Sequence, residues 1–465
     1  MSFRTRLAAV LATPALAFAG LAPVPVAAST GPVTESGTFA DGSTYLIEVP
    51  ASWNGTLVLY SHGYVSPLGP NVAAPDAGDP ITHDWMLANG YALAGSSYSR
   101  TGFAVKDALV DQQLTLQQFS SSIRHPKRTI AWGHSLGGLI TTMLIQTHPA
   151  EFNAALPMCG VNGGPITAFN PGLDSVLALK TLLAPPNTPL DLVNIPSMGA
   201  AITDLQTAEA VVLGAQTTAQ GRARTALVAA LADLPGWFDP ASPQPAPTDY
   251  ASQEANQVQW LATVALPAAT VSRYELEQRA GGNFSWTDGV SFTGQLQNSV
   301  DLREVRAEYK AAGLDLSADL AALQSAPEIS ASPQALRYGR SITPTGDIGI
   351  PVLTLHTEGD GYVINENERL YGDRVQDSGD SGLLRQTYVH RAGHCAFTPA
   401  EQIEAFKTLV QRLDTGHWRD VNAADLNTGA IALGPQYNVT ASGPTPPAFH
   451  TFHPSIPLRP ELRQG

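Results

Sequence analysis

The chain has 465 residues, of which 43% are hydrophobic and 14% are charged, and its formal net charge is −14. This length exceeds what one simple core usually holds, so we expect two folding units or one core with a large insertion. Acidic residues dominate and no basic patch recurs, which argues against nucleic acid as a partner and against attachment to an anionic membrane.

The first 28 residues are typical of an export signal. Arg4 and Arg6 form a positive end, residues 7–21 form an apolar core too short to span a bilayer comfortably, and residues 26–28 offer small side chains for cleavage. A buried N-terminal helix is the alternative. No later segment is apolar for long enough to predict a transmembrane helix, so we expect a secreted protein without stable membrane insertion.

Short apolar runs alternate with amphipathic segments in the first third of the chain. Residues 35–60 predict three strands, residues 91–98 a fourth, and residues 109–119 a helix. Residues 129–132 predict another strand. This alternation is typical of an α/β fold with a mostly parallel, doubly wound sheet.

The next segment contains a G-x-S-x-G motif with Ser135 at its centre, between Gly133 and Gly137. The pentapeptide alone is common, but here an apolar strand precedes it and residues 136–144 carry apolar side chains at helical spacing. A serine at such a turn is held on a strained backbone, and a Cβ at either glycine would collide with the adjoining strand or helix. Ser135 is therefore the candidate nucleophile, and an ordinary glycine-rich turn is the alternative.

A nucleophilic serine also needs a carboxylate that orients its general base. Residues 350–356 predict a buried strand, and Asp360 lies in the turn that follows it. Asp360 is the candidate acid. Glu358, two residues earlier, is the alternative, in which case Asp360 only forms the turn.

The candidate general base is His394, which leaves the strand predicted at residues 384–389. His390 lies nearer to the end of that strand and His356 precedes the acid turn, so we interpret both as structural histidines. Residues 398–401 form a capping box that predicts the start of a helix. This helix is expected to pack on the sheet and to fix where His394 points.

Two backbone N–H groups must stabilise the oxyanion of a tetrahedral intermediate. The N–H of Leu136, directly after the nucleophile, is one candidate. The second is expected in the loop after the third strand, where Gly63 gives the backbone room and Tyr64 is the candidate donor, with Val65 as the alternative.

These motifs resemble those of the α/β-hydrolase superfamily, and within it those of secreted, lid-bearing serine esterases. The chain order Ser135, Asp360, His394 is the α/β-hydrolase order, and lipases and esterases often carry a G-H-S-x-G-G elbow. The resemblance covers the two catalytic ends of the chain and leaves its middle unmatched. The matching segments are Ser61-His62-Gly63-Tyr64, Gly133-His134-Ser135-Leu136-Gly137-Gly138, Gly359-Asp360 and Gly393-His394-Cys395.

The resemblance implies hydrolysis of carboxylic esters through an acyl-enzyme, without a cofactor or a metal. The ester substrate could be a small molecule, a lipid or a polymer. Two alternatives remain open: a secreted serine peptidase or amidase on the same fold, and a non-catalytic binding protein.

The chain has two cysteines, and export favours their oxidation. Cys159 closes the strand predicted at residues 154–158 and Cys395 directly follows His394, so both are expected at one edge of the sheet. We predict a disulfide between them, with two buried thiols as the alternative. Tannase-like and feruloyl-esterase enzymes also have Cys after the catalytic His, but their partner Cys precedes the nucleophile, where this chain has His134.

The positions of the triad divide the chain into parts. Residues 29–165 and 346–442 are expected to form the α/β-hydrolase core, and residues 166–345 exceed an ordinary crossover and predict an inserted, mainly helical lid. The Pro-rich tail, residues 443–465, is expected to wrap the surface. Aromatic side chains in the lid form either an apolar substrate wall or ordinary core; these are Trp237, Phe238, Trp260, Phe284, Trp286 and Phe292.

Overall fold

A β-sheet forms the centre of the computed structural model, which describes residues 31–459. The predicted export signal, residues 1–28, lies outside the described residues. The strands are β1 (Val33–Thr38), β2 (Thr44–Val49), β3 (Thr56–Ser61), β4 (Ala92–Ser96), β5 (Arg128–His134), β6 (Ala154–Met158), β7 (Val352–Gly359), β8 (Leu384–Ala392), β9 (Val439–Thr440), β10 (Gly443–Pro444) and β11 (Phe449–His450).

Within the described part of the chain, nine strands form one sheet in the order β1-β2-β4-β3-β5-β6-β7-β8-β11. Neighbours from β4 through β8 run parallel to each other. The β1-β2, β2-β4 and β11-β8 pairs are antiparallel. The predicted α/β architecture with a mostly parallel sheet is confirmed. Strands β9 and β10 form a separate two-stranded ribbon.

The helices flank this sheet or lie between β6 and β7. Between residues 31 and 459, no helix has both the length and the apolar character needed to cross a bilayer. The helices are α1 (Pro80–Ala88), α2 (Val105–Ser122), α3 (Leu136–Thr147), α4 (Gly164–Leu182), α5 (Met198–Ala215), α6 (Ala219–Ala230), α7 (Tyr250–Trp260), α8 (Arg273–Ala280), α9 (Phe292–Asn298), α10 (Leu302–Ala312), α11 (Leu316–Gln324), α12 (Pro333–Ser341), α13 (Glu366–Asp377), α14 (Pro399–Thr415) and α15 (Ala423–Ala432).

Strand β3 shows why the central strands read as continuous apolar runs. Leu57 and Leu59 pack into one core with residues of α2 and α3. Val58 and Tyr60 point to the other face and pack with residues of α1 and α14. Because helices cover both faces, every residue of β3 is buried.

Helices α4–α12 form a region between β6 and β7 that has its own hydrophobic core. The predicted lid falls in this part of the chain, and its boundaries and lid role remain predictions. Four of the six aromatic side chains singled out in the sequence are at most 6% exposed, which favours their interpretation as ordinary core; these are Trp237, Trp260, Phe284 and Phe292.

Residues 443–456 of the C-terminal tail are mostly exposed or half-buried, whereas residues 457–459 are buried. Strand β11 adds to the edge of the sheet beside β8. Arg459 is 1% exposed, and its Nε donates to Asp174 Oδ2 at 2.6 Å in α4. The guanidinium also donates to Asn170 Oδ1 at 3.0 Å. A buried charge needs such partners, so the tail enters the interior where α4 supplies them.

Candidate active site

Ser135 lies on the sharp turn between β5 and α3. Its backbone has φ 59° and ψ −124°, a region that non-glycine residues rarely adopt. A Cβ at Gly133 or at Gly137 would collide with the Ser61 carbonyl oxygen of β3. Both glycines of the motif are therefore required by close backbone approach, as predicted, and the turn presents the Ser135 side chain at the carboxyl edge of the sheet.

His394 lies in the loop that follows β8 and reaches Ser135 across the sheet edge. Its Nε2 is 2.8 Å from Ser135 Oγ, and its Nδ1 is 2.7 Å from Asp360 Oδ2. A carboxylate only accepts, so Nδ1 carries the proton and Nε2 is free to accept the Ser135 hydroxyl proton. The structure thus brings the three predicted side chains into one hydrogen-bonded chain.

Asp360 directly follows β7 and is 1% exposed. Its Oδ1 accepts the backbone N–H groups of Tyr362 at 2.8 Å and Val363 at 2.9 Å. Its Oδ2 is left to accept from His394. These bonds fix the orientation of the carboxylate and replace the solvation that burial removes.

Glu358, the alternative acid, has different partners. Its two oxygens lie 2.6 Å from His390 Nδ1 and 2.5 Å from His450 Nδ1. As interpreted from the sequence, His390 does not contact Ser135. His450 lies 92 residues after Glu358, and no sequence pattern indicated its contact with that carboxylate. Glu358 therefore binds His390 and His450 and belongs to a network separate from the triad.

His356 is fully buried below the acid turn. Its Nε2 is 2.8 Å from the Val363 carbonyl oxygen and 3.6 Å from Asp360 Oδ2. Burial opposes charge on this ring, but interactions with Glu368 and then with Asp360 outweigh it and raise the pKa of His356. Asp360 Oδ2 thus faces a second imidazole in addition to that of His394.

The loop after β3 lies against the nucleophile. A Cβ placed on Gly63 would be 3.3 Å from Ser135 Cβ and 3.7 Å from Ser135 Oγ. Leu136 is the first residue of α3, where backbone N–H groups lack an intrahelical acceptor. The position of this loop fits an oxyanion hole, while Leu136 and Tyr64 as its donors, or Val65 in place of Tyr64, remain predictions.

His62 holds this loop in place. Its ring stacks on Tyr98 with centroids 3.9 Å apart, and its Nδ1 is 2.8 Å from the Gly63 carbonyl oxygen. The Tyr98 hydroxyl donates to the His62 carbonyl oxygen at 3.1 Å. Burial lowers the pKa of His62, which favours a neutral ring packed against Tyr98.

Tyr362 is a neighbour of the triad that sequence reasoning missed. Its ring stacks on the His394 imidazole, with centroids 4.8 Å apart and an interplanar angle of 24°. Tyr362 is 39% exposed, so it lies at the solvent side of the site. An aromatic residue two positions after the acid was the only signal available in the sequence, and it is not specific.

The two cysteines form a disulfide between Cys159, at the end of β6, and Cys395, beside the general base. The sulfur of Cys395 lies 3.5 Å from His394 Nε2. Cys159 and Cys395 both have positive φ, 43° and 53°. The bond therefore ties the histidine loop to a central strand across β7.

His134, directly before the nucleophile, is half-buried and takes part in a polar network. Its Nδ1 is 3.2 Å from the Tyr60 hydroxyl, and its Nε2 is 3.0 Å from Gln402 Oε1. Gln402 in turn donates to Asp79 at 3.0 Å. Burial lowers the pKa of His134 to about 4, so it is neutral at pH 7 and anchors the elbow to α14.

No established protein-family model matches the chain. It is 28% identical over 424 residues to an o-phthalyl amidase of Xanthobacter agilis, and the alignment covers 86% of this chain and 91% of that protein. Two solved structures from Aspergillus oryzae, an esterase and feruloyl esterase B, align at 14% and 15% identity with TM-scores of 0.39. These alignments cover 84% of this chain and 81% and 82% of those chains.

Ser135, Asp360 and His394 each follow a different parallel strand of the sheet. The parallel strands from β4 through β8 position the serine turn after β5, the acid after β7 and the histidine after β8. This order and the strained serine turn between strand and helix define a known architecture. The protein has the α/β-hydrolase fold.

Proposed function

We propose that the protein is a serine hydrolase that cleaves carboxylic acid esters through a covalent acyl-enzyme. The observation that carries this proposal is the continuous hydrogen-bonded chain from Asp360 through His394 to Ser135, with contacts of 2.7 and 2.8 Å. A serine activated by a histidine that a buried carboxylate orients is the arrangement needed for acyl transfer.

In the first half of the reaction, Ser135 Oγ attacks the carbonyl carbon while His394 Nε2 takes the hydroxyl proton. Asp360 stabilises the imidazolium that forms, and the N–H groups of Leu136 and Tyr64 bind the oxyanion. His394 then gives the proton to the leaving group, and the carbonyl carbon remains bonded to Ser135. Water attacks this acyl-enzyme in the second half, again with His394 as base.

A second candidate is amide hydrolysis by the same residues. The similarity to an o-phthalyl amidase over most of both chains favours it. An amide nitrogen is a poorer leaving group than an alkoxide, so it depends more on proton donation by His394. In both reactions Ser135 attacks the carbonyl carbon in the same way, and the two reactions differ only in the leaving group.

We propose that helices α4–α12 shape the substrate pocket as a lid. The Trp260 ring fills the space beside Gly361, directly after the catalytic acid. From α8, Glu275 Oε2 accepts the backbone N–H of Phe103 at 2.9 Å. These contacts support a lid that touches loops on both sides of the site. Export to an oxidising compartment is also part of the proposal, and the disulfide supports it.

Ser135→Ala tests the nucleophile. We expect turnover to fall by about a million-fold and labelling by a fluorophosphonate to disappear, since the covalent step needs Oγ. The wild-type chain should gain one label, and peptide mapping should locate it on Ser135. A variant that keeps its label, or a wild-type chain that takes none, would contradict the proposal and favour a binding protein.

A matched substrate pair tests ester against amide. The p-nitrophenyl ester and the p-nitroanilide of benzoic acid share their acyl group and differ only in the oxygen or nitrogen of the leaving group, so a ratio of kcat/KM compares the two leaving groups. The ester proposal predicts the larger kcat/KM for the ester. Fast anilide cleavage with negligible ester turnover would overturn it in favour of the amidase.

A further inference from the structure

A second group of titratable side chains lies where β2, the loop before α1 and α1 itself meet. Glu48 Oε2 is 2.7 Å from His83 Nε2, and Asp76 Oδ2 is 3.8 Å from the same nitrogen. One ligand atom from each of the three side chains lies within 4.8 Å of the other two. The residues come from three separate segments, and the proposed catalytic mechanism uses none of them.

Asp76 is the unusual member of this group. It is 5% exposed, and its Oδ2 is buried without a hydrogen bond from any residue between 31 and 459. In the same described part of the chain, no lysine or arginine forms an ion pair with Asp76 or Glu48. A buried carboxylate oxygen without a donor is costly, so it requires an explanation.

The two ring nitrogens of His83 face different carboxylates. Its Nδ1 is 2.9 Å from Asp84 Oδ1, so Nδ1 donates to that carboxylate while Nε2 points to Glu48 and Asp76. Two carboxylates, from Glu48 and Asp76, face this one nitrogen. Either a proton or a metal ion must lie between groups arranged in this way. A carboxylate outside a histidine is also the usual support of a metal-ligating imidazole.

We propose that Glu48, Asp76 and His83 bind a Zn²⁺ ion. One imidazole nitrogen and two carboxylate oxygens are zinc ligands, and the partial exposure of Glu48 and His83 leaves room for water as a fourth. Ca²⁺ takes oxygen ligands and is disfavoured by the imidazole.

The ion would have a structural role. It would join β2 to the loop before α1, whose Gly78 packs on the ring of His134 beside the nucleophile. In the same loop, Asp79 accepts the backbone N–H of Thr82 at 2.8 Å and caps α1. Zinc is thus expected to stabilise the fold near the elbow without taking part in the chemistry at Ser135.

A second histidine and carboxylate group provides the control. Glu358, His390 and His450 also lie within ligand distance of each other. There, however, each carboxylate oxygen already accepts from one imidazole, so no oxygen is left unpaired. This group is therefore expected to bind zinc more weakly than the first.

The test is equilibrium dialysis of the chelator-treated, full-length protein against Zn²⁺, with the bound metal counted by mass spectrometry. We expect one zinc per chain in the wild type and in His390→Gln. Asp76→Asn and His83→Gln should bind it about 100-fold more weakly. Zinc should raise the unfolding temperature of the wild type and of His390→Gln but not that of Asp76→Asn or His83→Gln. Ca²⁺ should not have the same effect.

Several results would overturn the proposal. These are the absence of tight zinc binding by the wild type, equal binding in all variants, and loss of binding in His390→Gln. Another is an unfolding temperature of the wild type that does not respond to zinc, while the metal-free Asp76→Asn variant is less stable than the metal-free wild type, which would show that a proton on His83 already supplies the charge. A cooperative urea-unfolding transition reports whether each variant is folded, and this measurement does not depend on the reactivity of Ser135.

Discussion

At the scale of single residues, the acid turn after β7 contains two carboxylates with different partners. Asp360 binds the general base, and Glu358 binds His390 and His450. Two positions on one turn therefore belong to two separate networks.

Asp360→Asn is expected to lower kcat by about ten-thousand-fold, because an amide at this position favours the wrong tautomer of His394. Glu358→Gln should stay within a few-fold of the wild type. Initial rates with a p-nitrophenyl ester measure both. A larger loss in Glu358→Gln than in Asp360→Asn would show that Glu358 is the working acid.

Tyr362 is expected to position the general base. Its ring covers one face of His394, so removing the ring should let the imidazole leave its Ser135 contact. Tyr362→Leu should lower kcat about five-fold to ten-fold with little change in KM, as expected for about 1 kcal/mol of lost ring contact.

Tyr362→Phe is the matched control, because it keeps the ring and removes only the hydroxyl. It should restore most of kcat. The side chain is partly exposed, so neither variant should change the unfolding temperature by more than a few degrees. Equal losses in both variants would assign the effect to the hydroxyl instead.

At the level of the secondary-structure elements, the disulfide joins the end of β6 to the histidine loop after β8, and the two cysteines are 236 positions apart in the chain. Replacing both cysteines with alanine should lower the free energy of unfolding by about 2 to 4 kcal/mol. Urea denaturation measures this change. We also expect a lower kcat, because the loop that carries His394 is released.

A reductant gives the control for this prediction. The wild type in dithiothreitol should approach the stability of the double variant, and the double variant should not respond to dithiothreitol. If reduction leaves the wild-type midpoint unchanged, the disulfide does not support the fold as inferred.

Helix α14 shows how local and distant contacts combine in one element. The capping box predicted from the sequence is confirmed, with Thr398 and Glu401 bonded reciprocally. Glu401 also receives two bonds from Arg391, at 2.7 and 3.0 Å, and one from the Ala448 backbone. The cap was predictable because it spans one turn of helix, while the other bonds join segments that only folding brings together.

At the scale of the whole molecule, buried carboxyl groups set an unusual pH dependence. Burial raises the pKa of Glu304 to about 8 and those of Asp111 and Asp233 to about 6. Between their ordinary pKa and these values, the folded state holds protons that the unfolded chain has lost. The free energy of unfolding contributed by these groups therefore falls as the pH rises from about 4 to 8.

Glu304→Gln tests this dependence. The amide cannot ionise and still accepts from Gln257, which donates to Glu304 at 3.0 Å. Relative to the wild type, the variant should gain on the order of 2 to 4 kcal/mol of unfolding free energy between pH 5 and pH 8.5. Urea denaturation at both pH values measures it. Parallel pH profiles for the two proteins would contradict the prediction.

Sequence patterns alone predicted the strands, the serine turn, the chain order of the three triad residues and the pairing of the two cysteines. The structure has these features at the predicted positions. These signals are local: apolar periodicity, glycines where backbones approach closely, and caps within one helical turn. The alternation of strands and helices also predicted that the carboxyl ends of the parallel strands lie at one edge of the sheet. Residues distant in the chain could therefore be predicted to lie close together before any side-chain contact was known.

Side-chain contacts outside these local patterns became visible only in the folded molecule. The stacking of Tyr362 on His394, the burial of Arg459 against Asp174, and the contact of His83 with Glu48 and Asp76 are examples. Each depends on the packing of separate elements, and a single sequence carries no signal for it. A buried charge or an unpaired carboxylate is defined by its surroundings, and those surroundings exist only once the chain has folded.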